Sequence, residues 1–340
     1  MTKVLHIVGA RPQFIKLYPL HLEMKGRGFE QKILHTGQHF DKNMSDVFFT
    51  EMGIPAPDYN LDIHSLPHGA MTGRMMEQVE EILLTDNFDY VIVYGDTNST
   101  LAGAIAARKL NIKLVHVEAG VRNYDYTMPE EVNRVLTDNI SDILLCSTQQ
   151  CAHNLEQENI HGGKNVGDLM FDSAMLFNPL EVRTHPYILV TCHRQENTTK
   201  EALTEIVLAL NAISNEIDIV FPVHPRTKNV LDTLDIKPTF SLSPPAGYIE
   251  MLQLISKSQY IITDSGGVSR EAYFFKKPNI VLLEHPVWPE LPCLTSAADA
   301  IDIQANYDIM KREILFDFSQ NLFGDGNARK KIVDILQDGK

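Results

Sequence analysis

Three acidic clusters fall between Tyr94 and Arg134: Gly95-Asp96-Thr-Asn-Ser-Thr, His-Val-Glu118-Ala-Gly and Pro-Glu130-Glu131-Val-Asn-Arg. Each stands at the expected end of a strand or start of a helix, and in α/β proteins such positions face the crevice where ligands bind. Several carboxylates gathered there suit proton transfer, one group acting as base and another as acid. Each cluster also has a plainer use. Asp96 would N-cap a helix starting at Thr97, and Glu130 and Glu131 after Pro129 suit the positive end of a helix dipole. Glu118, between Val117 and Ala-Gly at the end of an apolar strand, has no such structural purpose. Burial there would raise its pKa and make it a candidate acid or base.

Two turns have the residues to hold an anion. Gly9-Ala-Arg11-Pro12-Gln-Phe-Ile-Lys16 follows the first strand, where a helix N-terminus and a guanidinium together suit phosphate or carboxylate. It lacks the Gly-x-Gly-x-x-Gly spacing, so a nicotinamide dinucleotide is not implied. Thr263-Asp264-Ser265-Gly266-Gly267 precedes a second helix, and the four successive N–H groups of Ser265–Val268 can cradle a diphosphate while Glu271 accepts from a ribose diol. His193, beside Arg194, and His224, beside Arg226, also follow strands and can bridge phosphate or protonate a leaving group. No His-x-x-x-His or His-x-His pairing is expected to lie on one face, and no metal site is expected.

These residues need elements to hold them. Val4–Val8, Lys32–His35, Tyr90–Tyr94, Lys113–Val117 and Ile143–Cys146 read as buried strands, with helices over Met71–Leu84, Thr97–Lys109 and Glu130–Asn139 between them. Met170–Pro186 lacks a clear period and reads as a linker. A second series follows at Tyr187–Thr191, Asp218–Phe221, Thr239–Leu242, Tyr260–Thr263 and Asn279–Leu283. The expected fold class is α/β, with two Rossmann-like doubly wound domains facing across a cleft, 1–170 and 171–326. A C-terminal helix over about 327–340 would return to the first domain.

At 340 residues, the chain can bury one large or two medium cores. A net charge of −14 opposes sequence-independent binding to nucleic acid or anionic membrane, so any anionic ligand must meet a local cluster of donors. No apolar run is long enough to span a bilayer, and the opening residues lack a signal-peptide pattern, so a cytoplasmic protein is expected. The four cysteines show no Cys-x-x-Cys spacing and read as ordinary thiols.

Taken together, these motifs resemble the non-hydrolysing UDP-N-acetylglucosamine 2-epimerase family. The resemblance runs in order through Gly-Ala-Arg-Pro, Thr36-Gly-Gln38-His39, Gly-Asp-Thr-Asn-Ser-Thr, His-Val-Glu-Ala-Gly-Val-Arg, Pro-Glu-Glu-Val-Asn-Arg, Cys-His-Arg-Gln-Glu-Asn, Pro-Val-His-Pro and Thr-Asp-Ser-Gly-Gly with Glu271. It implies the glycosyltransferase-B architecture, a homodimer and no cofactor. The implied activity is inversion of C2 in a UDP-N-acetylhexosamine, by elimination of UDP to a 2-acetamidoglucal and its re-addition. By the same resemblance Asp96, Glu118 and Glu130 are the acid–base groups and His193 assists the leaving diphosphate. Arg11, His224, Ser265, Gly266 and Gly267 hold the UDP-sugar, Glu271 the ribose, and Lys16 organises the first-domain side. Gln38, His39 and Arg74 match an activating UDP-N-acetylglucosamine site.

One stretch departs from the family pattern. Val287-Trp288-Pro289-Glu290 has tryptophan where the family usually has arginine before Pro-Glu, and Trp288 can stack but cannot make a bidentate contact. A diacetamido-uronic acid substrate and a hydrolysing outcome therefore stay open. A glycosyltransferase of the same architecture would share the donor turn without requiring the three carboxylates. A sugar-nucleotide sensor would tolerate losing them.

Overall fold

The computed structural model describes residues 1–38, 51–177, 185–283, 288–312 and 316–339. His39 lies outside the described residues. By internal contacts the chain divides into two compact units, Met1–Leu176 with Leu322–Lys340, and Phe177–Asn321.

The first unit is built on a parallel sheet of seven strands: β1 (Lys3–Val8), β2 (Glu30–His35), β3 (Tyr59–Asn60), β4 (Tyr90–Tyr94), β5 (Lys113–Val117), β6 (Ile143–Cys146) and β7 (Lys164–Asn165). Their order is β3-β2-β1-β4-β5-β6-β7. All five residues of β4 are buried, as a strand covered by helices on both faces requires. Leu5, Ile7, Val91, Val93 and Leu114 pack with Val79, Leu83, Ala104 and Ala107 from the helices.

The second unit contains β8 (Tyr187–Thr191), β9 (Asp218–Pro222), β10 (Leu242–Ser243), β11 (Tyr260–Thr263), β12 (Asn279–Val281) and β13 (Leu294–Thr295). Their order, β10-β9-β8-β11-β12-β13, is the same doubly wound pattern as the first six strands of the other sheet. Its core joins Ile188, Val190, Phe221, Ile262 and Ile280 to Leu203, Ile206, Leu210 and Ile303. In each unit the strand order reverses at one point, between β1 and β4 and between β8 and β11, and that is where an open α/β sheet places its ligand.

Two sequence expectations are corrected. The start of the supposed linker, Met170–Leu176, belongs to a helix of the first unit, Leu169–Leu176. Its aperiodic sequence reflects burial on several sides: Ser173 Oγ donates to Ile15 O at 2.6 Å, and Asp172 accepts from the N–H groups of Ala328 and Arg329 at 3.0 and 2.9 Å. Those two bonds cap the C-terminal helix Ala328–Asp338, which packs on the Arg11–Gly26 helix. The strand expected at Thr239–Leu242 forms instead at Leu242–Ser243, because Asn211 Oδ1 accepts from both Thr239 N–H, at 2.8 Å, and Thr239 Oγ1, at 2.9 Å. Among the described residues no helix is long and apolar enough to cross a membrane.

Candidate active site

In the first unit the loops after β4 and β5 converge on Lys16. Glu118 follows β5 with φ +75°, a left-handed backbone that a non-glycine residue keeps only when its surroundings enforce it. The N–H groups of Glu118 and Ala119 both donate to Leu145 O at 3.0 Å and hold it there. Glu118 Oε2 lies 2.7 Å from Lys16 Nζ, with 11% and 4% of the respective side chains exposed. A buried ammonium thus faces this carboxylate and compensates its charge. A Cβ built on Gly95 would stand 3.7 Å from both Glu118 Oε1 and Lys16 Nζ, so the β4 loop runs directly past this ion pair.

Asp96 is not the cap of the following helix. The helix is Asn98–Lys109, and Thr97 caps it, its Oγ1 accepting from Thr100 N–H at 3.3 Å. Asp96 Oδ2 instead accepts from Arg134 Nε at 3.0 Å and Nη2 at 2.7 Å, while Asn133 Nδ2 donates to Asp96 O at 2.9 Å. Asn98 and Asn133 line an open pocket of about 600 Å³ beside Asp96, with His68, Thr72 and Tyr126. The two glutamates of the Pro129–Ile140 helix separate by burial. Glu131 is fully buried and accepts from Asn123 and Tyr124 N–H and from Arg134 Nη1. Glu130 is exposed in the first turn and remains the candidate of the two.

The Gly9 turn serves the fold more than expected. Gln13 Oε1 accepts from the N–H groups of Gly9 at 2.7 Å and Ala10 at 3.0 Å, and Gln13 Nε2 donates to Tyr94 O at 2.7 Å. Those two backbone donors are committed to Gln13, and Arg11 is half-buried at the first position of its helix. Gly9 is required by close approach, because a Cβ there would lie 2.1 Å from Thr36 Oγ1 and 2.3 Å from Ser99 Oγ. Gln38 Oε1 accepts from Ser99 N–H at 3.1 Å and Oγ at 2.8 Å, which ties it to the start of the Asn98–Lys109 helix. Arg74 is exposed on the His68–Thr85 helix.

The second unit brings His193 and the Ser265 turn together, because β8 and β11 are neighbouring parallel strands. Between them lies Asp264, fully buried, whose Oδ2 accepts from His193 and Arg194 N–H at 2.8 Å each. Its Oδ1 stands 3.2 Å from His193 Nδ1, which orients the half-exposed imidazole. Burial alone would push the Asp264 carboxyl up, but the His193 ring and these N–H donors outweigh it and hold the group below its ordinary value. Ser265 caps the Gly266–Phe274 helix, its Oγ accepting from Val268 N–H at 3.3 Å, and Ser265 N–H donates to Thr263 Oγ1 at 3.0 Å. Only Gly266 and Gly267 of the expected four-donor cradle therefore present first-turn N–H groups, which helix geometry leaves without intrahelical acceptors. Glu271 is buried one turn further along.

His224 caps the Pro225–Leu231 helix, its Nδ1 accepting from Arg226 N–H at 3.2 Å. Burial lowers its pKa, and the charges of His193 and Arg226 add to that. Trp288 is buried and stacks on the Arg270 guanidinium, 4.7 Å from its ring centroid. Among the described residues no group of three His, Cys, Asp or Glu could hold a metal ion. Sequence reasoning assigned no role to Arg134 or Asp264. Arg134 sits three positions after Glu131, a spacing that puts both on one helix face, while Asp264 directly precedes the Ser-Gly-Gly turn.

A family model described as UDP-N-acetylglucosamine 2-epimerase matches residues 22–337. Among curated relatives, the UDP-2,3-diacetamido-2,3-dideoxy-D-glucuronate 2-epimerase of Pseudomonas aeruginosa is 44% identical, covering 98% of this chain and 99% of that protein. A UDP-N-acetylglucosamine 2-epimerase homolog of Methanococcus maripaludis is also 44% identical, with 99% of each covered. The crystal structure of Methanocaldococcus jannaschii UDP-GlcNAc 2-epimerase in complex with UDP-GlcNAc and UDP superposes with a TM-score of 0.84 at 36% identity, again over 99% of each chain. The two Rossmann-like sheets are thus of the glycosyltransferase-B class, and the acidic loops, the Lys16 ion pair and the Ser-Gly-Gly turn occur in a chain that belongs to the UDP-N-acetylglucosamine 2-epimerase family.

Proposed function

We propose that the protein inverts C2 of a UDP-activated N-acetylhexosamine, converting UDP-N-acetylglucosamine to UDP-N-acetylmannosamine without a cofactor. A base removes the C2 proton, the C1–O bond breaks with its electron pair leaving on UDP, and a C1=C2 double bond forms in a 2-acetamidoglucal. Protonation of C2 from the opposite face and return of the UDP oxygen to C1 complete the cycle. The observation that carries this reading is the Glu118–Lys16 pair beside Gly95 and the Asp96 loop. It sets a carboxylate and a cation beside the loop that bears the second acidic candidate. Asp96, Glu118 and Glu130 supply the proton transfers. His193, oriented by Asp264, assists the departing diphosphate. Gly266 and Gly267 N–H groups, Arg11 and His224 hold phosphate oxygens, Ser265 shapes the turn, and Glu271 meets the ribose.

In deuterated buffer the enzyme should place deuterium at C2 of UDP-N-acetylglucosamine without any acceptor. No exchange, with sugar transfer once an acceptor is supplied, would replace this reading by a glycosyltransferase. A second reading, a diacetamido-uronate substrate, is favoured by the 44% identity to the Pseudomonas aeruginosa enzyme and by Trp288 at the usual arginine position. An NMR time course on a panel of UDP-hexosamines distinguishes the two, and released free sugar would mark a hydrolysing enzyme. Activation by UDP-N-acetylglucosamine through Gln38, His39 and Arg74 predicts that initial rates from the C2 epimer depend on the added nucleotide sugar. The working form proposed is a cytoplasmic homodimer.

A further inference from the structure

His116 lies in β5, two residues before Glu118, and is fully buried. Both ring nitrogens face acceptors: Nε2 is 2.8 Å from Gly95 O, and Nδ1 is 2.6 Å from Asp138 Oδ1. A backbone carbonyl can only accept, so Nε2 carries a hydrogen. Asp138 Oδ2 already takes Arg122 Nη1 at 2.7 Å and Gly120 N–H at 3.1 Å, contacts that suit the ionised carboxylate and leave the second hydrogen on Nδ1.

The charges facing this site agree. Arg122 also binds Glu158 at the end of the Gln149–Gln157 helix, through Nε and Nη2 at 2.8 Å each. With His116 protonated the cluster holds two cations, His116 and Arg122, against two anions, the buried Asp138 and the quarter-exposed Glu158. Beyond Gly95 stand Glu118 and Lys16, themselves paired, while Cys146 of β6, facing Asp138 and Arg122, and Cys151 are buried thiols, and burial raises the Cys146 pKa to keep it uncharged.

We propose that His116, doubly protonated, and Asp138 form a buried positioning pair that fixes the backbone carrying Asp96 and Glu118. The pair holds both loops at once. His116 grips the carbonyl of Gly95, whose N–H donates to Val117 O at 2.9 Å and whose φ is +62°. Asp138 grips the N–H of Gly120, with φ +79°, two residues beyond Glu118. One imidazolium–carboxylate contact therefore sets the spacing of the two loops that bracket the Lys16 ion pair.

The catalytic arm of the test rests on the epimerase reading, and the protonation arm does not. In protein labelled with ¹⁵N-histidine, His116 should show hydrogens on both ring nitrogens at pH 8, where an ordinary imidazole, pKa about 6.5, is neutral. A single ring hydrogen there would overturn the proposal. His116→Gln keeps a donor within reach of Gly95 O, while His116→Asn keeps only the contact to Asp138. His116→Asn should lower kcat for C2 exchange about a hundredfold, with KM and UDP affinity within about twofold of wild type, because misplacing a reacting group by roughly an ångström has that effect. His116→Gln should recover about tenfold of the loss if the grip on Gly95 is what matters. Equal kcat in the two variants, or losses tracking thermal stability and UDP affinity instead of kcat, would overturn the positioning role. If His116→Asn does not fold, Asp138→Asn serves in its place, with kcat again expected to fall while KM holds. Wild-type protein inert towards every UDP-hexosamine but doubly protonated at His116 would sink the epimerase reading and leave the pair intact.

Discussion

Glu118, in the loop after β5, meets Lys16 of the Arg11–Gly26 helix, and neither residue's neighbours in sequence announce the other. Their separation of 2.7 Å in a nearly buried setting pairs the carboxylate with a cation and fixes where it points. Glu118→Gln should therefore suppress C2 deuterium exchange about a hundredfold or more, as loss of a general base does, with UDP binding retained in calorimetry. Wild-type turnover in that variant would remove Glu118 from the mechanism. Asp264 gives a prediction in pH. Its folded-state pKa lies below its unfolded value, so it stabilises the fold above about pH 4 and loses that contribution as pH falls through the folded value. The urea midpoint, followed by Trp288 fluorescence, should drop on acidification, and Asp264→Asn should flatten that dependence while lowering the midpoint at pH 7. An acid limb unchanged by the substitution would mean another carboxyl governs it.

At the scale of elements, caps decide which acidic residues are available for chemistry. Thr97 caps the Asn98–Lys109 helix and so releases Asp96 to Arg134. Thr97→Ala should destabilise the protein by about 1 kcal/mol in denaturant titration, the usual loss for such a cap, whereas Asp96→Ala should lower activity far more than its effect on helix stability explains. Ser265 is likewise a cap by structure, and Ser265→Gly, which preserves helix capping to within a few tenths of a kcal/mol, tests whether its hydroxyl also touches the diphosphate. Unchanged UDP affinity in that variant would confine Ser265 to capping. The strands were legible in the sequence, because residues buried on both faces of a parallel sheet leave continuous β-branched runs. The helix Leu169–Leu176 was not, since a short helix packed on several sides has no polar face to give it a period.

For the whole molecule, a net charge of −14 means that UDP must be drawn in by local donors against an unfavourable field. UDP affinity should therefore depend only weakly on added salt, with repulsion and local attraction both screened. A steep loss of affinity between low and physiological salt would point instead to long-range attraction by a basic face.

Taken by itself, the sequence determined the α/β class, the alternation of strands and helices, and the identity of the residues able to do chemistry, because each rests on local pattern or on runs of a few residues. It also carried the family, through motifs in fixed order. Only the tertiary structure decided which of those residues are occupied elsewhere: Glu131 is spent on Arg134 and two backbone donors, Gly9 and Ala10 on Gln13, and Val268 N–H on Ser265. It also supplied the partners that sequence does not pair, Lys16 for Glu118, Arg134 for Asp96, Asp264 for His193 and His116 for Gly95. The physical reason is that strand order, which sets those neighbours, depends on which β-edges pair across long sequence separations. No local periodicity encodes that choice.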